Sequence, residues 1–404
     1  MTGTTIAQAI PIAISPLLTR IYTPEEFGVF ALFMAIVSII GSVINGRYEL
    51  AIMLPKTDED AINILALGFL INLFISTLLL SCILIFHSSI VALLGNPEIS
   101  PWLYLIPLSV FLVGCFNLLN YFNNRKRHYK DLAKANVYKS LVSAAVQITL
   151  GLAKAGVFGL LSGQILSQAV SNTKLFFNIK NLSLFHHVQK RRIISLAKRY
   201  NNHPIYLLPT TLFDTFSLKV PLFGINHFLS VSLLGQYALT ERMLAIPSGL
   251  VGKSIGQVFY KEFTLLITDQ DYLAAKRLIF TVWKRLFVIG IVPVVIIVLF
   301  GDAMFGFIFG ESWRAAGEIA QVMIIMYFVL FISSPTSSAY NVLEMQKLGL
   351  LFGVAVLFYR IIIFMYFIKY GLIKALLIYA VIEIIQVFIY NYLLLRRLNH
   401  DIYR

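Results

Sequence analysis

Apolar residues run in long blocks along the chain, broken by short clusters of Lys, Arg, Asp, Glu, Pro and Gly. A helix needs about 20 apolar residues to cross a hydrocarbon core about 30 Å thick at about 1.5 Å of rise per residue. Twelve stretches reach or approach that length: Thr2 to Thr19, Phe27 to Leu54, Ala61 to Phe86, Trp102 to Asn123, Leu132 to Ala153, Val157 to Phe177, Ile205 to Asn226, Val231 to Gly256, Leu278 to Phe300, Ala315 to Tyr340, Gly349 to Ile368 and Leu372 to Leu395. The blocks predict an all-α polytopic membrane protein with twelve transmembrane helices. The first block is short, so a leading segment ahead of it is expected. It reads as a span and not as a cleaved signal, because no basic region and no small-residue cleavage pattern accompanies it.

The stretch from Ser15 to Glu49 organises the rest. Thr23, Pro24, Glu25 and Glu26 spell a helix start: the Thr hydroxyl takes an orphan N–H, Pro sits where no donor is needed, and Glu26 completes a T-x-x-E capping box. A long helix is therefore expected from Pro24, with Ser38, Ser42, Asn45 and Glu49 recurring on one face of an otherwise apolar rod. Similar polar seams run through Gln8, Pro11, Ser15 and Thr19 in the first stretch, and through Thr210, Asp214, Ser217 and Pro221 in the seventh. Gln236, Thr240, Glu241 and Arg242 add polarity to the eighth, while the third and ninth stretches have few such groups and read as lipid-facing.

An internal echo suggests two halves. Pro16 to Leu32 and Pro221 to Leu239 both run Pro-Leu, a short turn, then Gly, one residue, an aromatic, Ala and Leu. Six spans per half starting on the same side make a parallel repeat. The expected organisation is an N-terminal six-helix lobe at 1–180, a basic cytoplasmic linker at 181–204 and a C-terminal six-helix lobe at 205–404, around a central water-filled cavity walled by the first pair of spans of each half. A plain bundle with buried Ser and Thr is the other reading of the same seams.

Composition sharpens this. With 404 residues, 58% hydrophobic, 13% charged and a mean hydropathy of +0.81, the chain is far more apolar than a soluble domain, whose charged share is about 25%. The net charge of +14 does not point to nucleic acid, because the basic residues sit between apolar blocks and not along a polar domain. Assigning alternate connections to opposite sides puts 24 of the 33 Lys and Arg on one side, counting Arg125 to Lys139 as one connection. The positive-inside rule makes that side cytoplasmic, with both termini there. The segment Lys190 to Tyr200 places Ile193, Leu196, Ala197 and Tyr200 opposite its basic residues, as a helix on an anionic leaflet or as a solvated linker. Cys82 and Cys115 lie inside apolar blocks and read as packed thiols.

Charges inside spans are costly and mark function by default. Eight stand out: Arg47, Lys219, Arg242 and Arg360 against Glu49, Asp214, Glu241 and Glu383. The last two spans form a hairpin, and counting back from its turn near Tyr370 puts Arg360 and Glu383 at one depth, a structural ion pair. About the turn near Leu229, Asp214 comes level with Arg242 and Lys219 with Glu241, where pairing and a substrate role stay open. The sequence carries no P-loop, H-E-x-x-H, G-x-S-x-G or metal-ligand cluster, so it is read as a non-enzyme without cofactors or metal.

The runs SPLLTRIYTPEEFGVFAL, RYELAIMLPK from Arg47, GQYALTERMLAIPSGLVGKSIGQVFY from Gly235, and FGESW from Phe309 resemble the polysaccharide-transporter branch of the multidrug/oligosaccharidyl-lipid/polysaccharide exporter superfamily. The resemblance implies a flippase that moves an undecaprenyl-diphosphate-linked oligosaccharide from the inner to the outer leaflet of the bacterial inner membrane. Under it, Arg47, Arg242 and Lys219 are candidates to hold phosphate, with Asn45, Tyr48, Gln236 and Tyr237 facing sugars. Glu49, Asp214 and Glu241 are candidates for ion coupling. The implied partners are the lipid-linked oligosaccharide and the bilayer, with room for polysaccharide polymerase machinery. A cation-coupled multidrug exporter of the same superfamily is the alternative, and it is disfavoured because each buried acid has a potential basic partner.

Overall fold

The turn at Thr23 shows how locally the helix starts are set. In the computed structural model, which describes residues 2–180 and 186–402, the Thr23 hydroxyl accepts from the Glu26 N–H and the Glu26 carboxylate accepts from the Thr23 N–H, at 3.3 and 2.9 Å. The expected capping box is formed. In chain order the helices are α1 (Thr2–Ala13), α2 (Ser15–Ile21), α3 (Pro24–Gly41), α4 (Tyr48–Ala51), α5 (Asp58–Leu94), α6 (Ile106–Arg125), α7 (Tyr129–Leu152), α8 (Val157–Lys180), α9 (Lys190–Arg199), α10 (Leu208–Phe228), α11 (Val231–Thr268), α12 (Tyr272–Phe309), α13 (Arg314–Ser333), α14 (Ala339–Val342), α15 (Gln346–Met365) and α16 (Leu372–Ile402). No strand occurs among the described residues. Every apolar block of the sequence is helical over most of its length, and among the described residues seven helical segments are long and apolar enough to cross a membrane. The five blocks that fall short of that standard lie in α1 and α2, α7, α8, α10 and α11, and each carries several amide, hydroxyl or charged side chains.

Contacts divide the chain into two compact units, Met1–Gly235 and Gln236–Arg404. The division falls inside α11 and counts α10 with the first unit; residues 181–185 of the expected linker lie outside the described residues.

In the first unit α7 packs along α8, α1 lies on α7, α6 touches both α5 and α8, and α3 fits against α6, α8 and α10. Pro11 lies inside α1. It offers no N–H to the Ala7 carbonyl four residues back, and Ser140 of α7 fills the gap by donating to that carbonyl at 2.6 Å. A core of Ile52, Ile62, Leu118, Phe122, Leu175 and Leu196 closes one end of the unit. There α9, apolar on one face and basic on the other, is tied down: Tyr48 Oη donates to the Ala197 carbonyl at 3.0 Å, Arg192 bonds Glu59 at 2.5 Å, and Leu196 is buried. Asp58, in the first turn of α5, bonds both Arg125 and Lys126, and Arg125 also donates to the Ile52 and Thr57 carbonyls at 3.2 and 3.1 Å. Arg125→Ala is expected to lower stability by about 2 kcal/mol, since hydrogen bonds from a charged donor are the strong ones; thermal unfolding in detergent would show it.

At the opposite end of this unit the starts of α3 and α11 meet backbone to backbone. A Cβ at Gly28 would stand 2.0 Å from the Val231 carbonyl oxygen, and one at Gly235 only 1.8 Å from that of Pro24. These are the two glycines of the internal echo. Beside them Asn226 donates to the Leu94 carbonyl at 2.6 Å and accepts from Asn96 at 2.9 Å. Between α5, α6 and α8 runs an apolar groove of about 830 Å³, walled by Leu65, Phe69, Leu112, Leu118, Phe176 and Phe177.

In the second unit α12 packs on α13, and α16 touches α12, α13 and α15. Its core gathers Phe259, Phe263, Ile279, Tyr340 and Leu394, with the Tyr340 ring stacked on Tyr390. The start of α13 is pinned by α11: the Gln236 amide donates to the Ser312 carbonyl at 2.6 Å and accepts from the Ala316 N–H at 3.0 Å, and Thr240 donates to the Ala316 carbonyl at 2.7 Å. At 38 residues each, α11 and α12 are about 57 Å long and overshoot a bilayer core. Only 17% of the apolar window of α5, and the same share of α12, is buried. Exposed apolar flanks of this kind suit lipid, as expected for the third and ninth blocks.

Candidate functional site

The helix expected to run from Phe27 to Leu54 breaks in the middle. It ends at Gly41, and residues 42–47 turn before α4 begins at Tyr48. Gly46 and Arg47 both take left-handed backbone conformations, with φ of 60° and 62°. For the arginine this costs about 1 kcal/mol. Helix α6 clamps the break from the side: Asn117 donates to the Gly41 carbonyl at 3.3 Å, and Asn45 donates to the Gly114 carbonyl at 3.0 Å. The expected seam is therefore dispersed. Ser38 and Ser42 bond the Ala35 and Ile39 carbonyls of their own helix, while Asn45 and Glu49 leave it.

What the break assembles is a buried polar knot. Arg47 Nη1 donates to Glu49 Oε1 at 3.1 Å and to the Ser42 carbonyl at 3.3 Å. Asn45 and Glu49 are 1% and 2% exposed. Asn45 Oδ1, Arg47 Nε and Glu49 Oε2 are buried without a hydrogen-bond partner. A buried pair with spare donors and acceptors is placed to change partners, because every unmet polar atom is costly until something meets it. Tyr48 is buried and committed to α9, so it faces a helix and not the break.

The other expected residues fall in different surroundings. Asp214 is exposed on α10 and Lys219 is half-buried. Gln236 and Tyr237 are 4% and 2% exposed, the first with its amide spent on Ser312 and Ala316. Glu241 and Arg242 are half-buried on α11, each with an interaction of its own. In the second unit Arg360 Nε donates to Glu383 Oε1 at 2.9 Å, inside a ring of Tyr359, Tyr379 and Gln386. This is the pair that the hairpin register predicts.

The charge count along the sequence places Lys139 in a cytoplasmic connection, but α7 starts at Tyr129 and carries it to mid-helix. Its signal is in the sequence: Asn136, Lys139, Ser143 and Gln147 recur at helical spacing on one face. Among the described residues no three His, Cys, Asp or Glu side chains gather as metal ligands would.

Comparison with known proteins places this fold. The chain is 22% identical over 329 residues to the succinoglycan biosynthesis transport protein ExoT of Rhizobium meliloti, covering 78% of this chain and 62% of that protein. It is 25% identical over 214 residues to the capsular polysaccharide biosynthesis protein CapF of Staphylococcus aureus, covering 49% of this chain and 52% of that one. The chain thus spans less than two thirds of either relative. Among solved structures it superposes on the lipid II flippase MurJ in an inward closed conformation with a TM-score of 0.75, at 14% identity over 100% of this chain and 87% of that one. It superposes on an inward-facing multidrug resistance transporter of the MATE family with a TM-score of 0.68, at 13% identity over 98% and 95%. These likenesses establish the fold, an all-helical membrane fold shared with transporters. A family model described as polysaccharide biosynthesis protein matches residues 17–318, three quarters of the chain, and the chain belongs to that family.

Proposed function

We propose that the chain is a flippase for an undecaprenyl-diphosphate-linked oligosaccharide, carrying it from the cytoplasmic to the outer leaflet of the bacterial inner membrane by alternating access. In this reading there are twelve spans in two six-helix lobes, 1–180 and 205–404, joined by the linker at 181–204, with both termini cytoplasmic. The observation that carries it is the knot at Asn45, Arg47 and Glu49, whose buried polar atoms are only partly matched. Membership of a polysaccharide biosynthesis family supports the substrate class.

The physical problem is to bring a diphosphate and a hydrated glycan across hydrocarbon while the lipid tail stays in it. Arg47 turns from Glu49 to a phosphate oxygen, a change of partner that keeps the guanidinium neutralised throughout. Glu49, released and buried, takes up a proton and so couples the step to an ion. Lys219 of the first unit and Arg242 of the second are the further candidates to meet phosphate, and an inside-negative potential favours the outward passage of an anion by about 2.3 kcal/mol per charge per 100 mV. The multidrug alternative is weakened by the partners of the acids: Glu49 and Glu383 are each bonded to an arginine.

Arg47→Ala and Arg242→Ala are each expected to abolish surface polysaccharide in a complemented deletion strain, with membrane insertion and drug sensitivity unchanged. Full polysaccharide in both variants would remove these residues from the site. A deletion strain that becomes drug-sensitive but keeps its polysaccharide would favour the exporter.

A further inference from the structure

Inside the first unit, away from the break, α1, α7 and α8 enclose a second cavity of about 370 Å³, lined by Gln8, Asn136, Lys139, Ser143, Gln164 and Ser167. We propose that this pocket is a site for a single acidic sugar residue, a hexuronate-type ring whose carboxylate meets Lys139; the proposal rests on the flippase reading and names the class of glycan carried.

The charge count of the pocket is the first argument. Lys139 Nζ stands 5.0 Å from the centroid of the Phe116 ring, and among the described residues it has no carboxylate within ion-pair distance. The other lining side chains that carry polar groups are amides and hydroxyls. A half-buried ammonium in the middle of a helix, away from any carboxylate, calls for an anion, and a ring face answers it only in part. One monoanion closes the balance. A diphosphate would bring surplus negative charge to a single point cation that lacks the fork geometry of a guanidinium, and a neutral hexose would leave the ammonium unanswered.

Size and lining agree with a sugar. At about 370 Å³ the cavity has room for one pyranose ring. Amides and hydroxyls supply both donors and acceptors, as a polyhydroxylated ring requires. The walls are fixed independently of any ligand, by the Ser140 bond to the Ala7 carbonyl freed by Pro11, and by Ser167 Oγ donating to the Gln164 carbonyl at 2.9 Å.

A second observation comes from α8. The face that brings Gln164 and Ser167 to the pocket continues at helical spacing to Gln168 and Ser171, 2% and 0% exposed. The amide nitrogen and oxygen of Gln168 and the Ser171 hydroxyl are buried with no hydrogen-bond partner. A fully buried amide with both ends unmet is rare in a folded interior, and it marks a place where water or a polar ligand completes the structure.

The test uses the purified full chain in lipid nanodiscs and saturation-transfer NMR titrations with methyl glucuronide, methyl glucoside and inorganic phosphate. The glucuronide is expected to bind at least tenfold more tightly than the glucoside, and phosphate to displace it only weakly. Lys139→Gln should bring the glucuronide down to the level of the glucoside, and Lys139→Arg should keep the preference. Should Lys139→Gln not fold, Ser143→Leu, which fills the cavity and leaves the charge, should cut glucuronide affinity to the same degree. Equal binding of the two glycosides, a preference that survives Lys139→Gln, or phosphate displacing the glucuronide at matching concentration would each overturn the proposal. Binding needs no translocation, so loss of the preference in a chain that still exports polysaccharide sinks the sugar site alone. A glucuronide preference in a chain whose deletion leaves surface polysaccharide intact sinks the flippase reading alone.

Discussion

Gly235→Ala is expected to reduce surface polysaccharide to below about a tenth of the wild-type level while the protein still inserts. The added Cβ would lie 1.8 Å from the Pro24 carbonyl oxygen and 3.0 Å from the Gly28 nitrogen. Both are backbone atoms, so no side chain can swing aside, and the starts of α3 and α11 have to part by more than an ångström. Overpacking of a tight contact costs roughly 1–3 kcal/mol, and a backbone collision belongs at the upper end. The seam lies at the end of the first unit away from Arg125 and α9. Under the proposed alternating-access reading it is the end that closes when the cytoplasmic side is open, and a seam that cannot close would stall the cycle. Gly28→Ala attacks the same contact from the other helix, with its Cβ 2.0 Å from the Val231 oxygen. The double variant should therefore be little worse than either single one, as for residues sharing one contact. Gly249→Ala, where a Cβ meets nothing within 4 Å, is the control. Export at the wild-type level in Gly235→Ala would show that the seam is not part of the cycle.

Glu383→Ala is expected to lose about 3–5 kcal/mol of stability, because Arg360, 8% exposed, would be left charged in the interior of the second unit. Folded yield in detergent and the midpoint of thermal unfolding should both fall. The double variant Arg360→Met/Glu383→Leu should recover most of the loss, since a well-packed apolar pair often replaces a buried ion pair without penalty. That variant also separates scaffold from transport. If it is stable and exports polysaccharide, the pair is structural; if it is stable and inactive, the charges take part in the cycle. A single variant that unfolds within about 1 kcal/mol of wild type would show that the pair is not buried as described.

Features that depend on neighbours in the sequence were legible. The Thr23 box, the positions of the helical blocks and the depth match of Arg360 with Glu383 all follow from spacing within one helix or one hairpin. The break after Gly41 was announced by Asn45-Gly46, a turn dipeptide, but long apolar runs on either side outweigh two residues in any average over a span. Lys139 was hidden by its company: Arg125, Lys126, Arg127, Lys130 and Lys134 precede it, and a charge count along the chain cannot tell a connection from the first turns of a helix. Gln236 shows a different limit. Its amide is committed to the Ser312 and Ala316 backbone, groups at a helix start that need partners wherever the fold can supply them. A polar residue in a span therefore looks the same in sequence whether it awaits a substrate or caps a distant helix.

The apolar groove between α5, α6 and α8 bears on how the protein can be handled outside a cell. A concavity of about 830 Å³ with walls of Leu and Phe cannot be wetted cheaply and is too large to collapse. In a bilayer, acyl chains complete its surface; in a micelle, that task passes to whatever amphiphile is present. Purified preparations should carry tightly associated lipid, and their shelf life should lengthen with the chain length of the detergent.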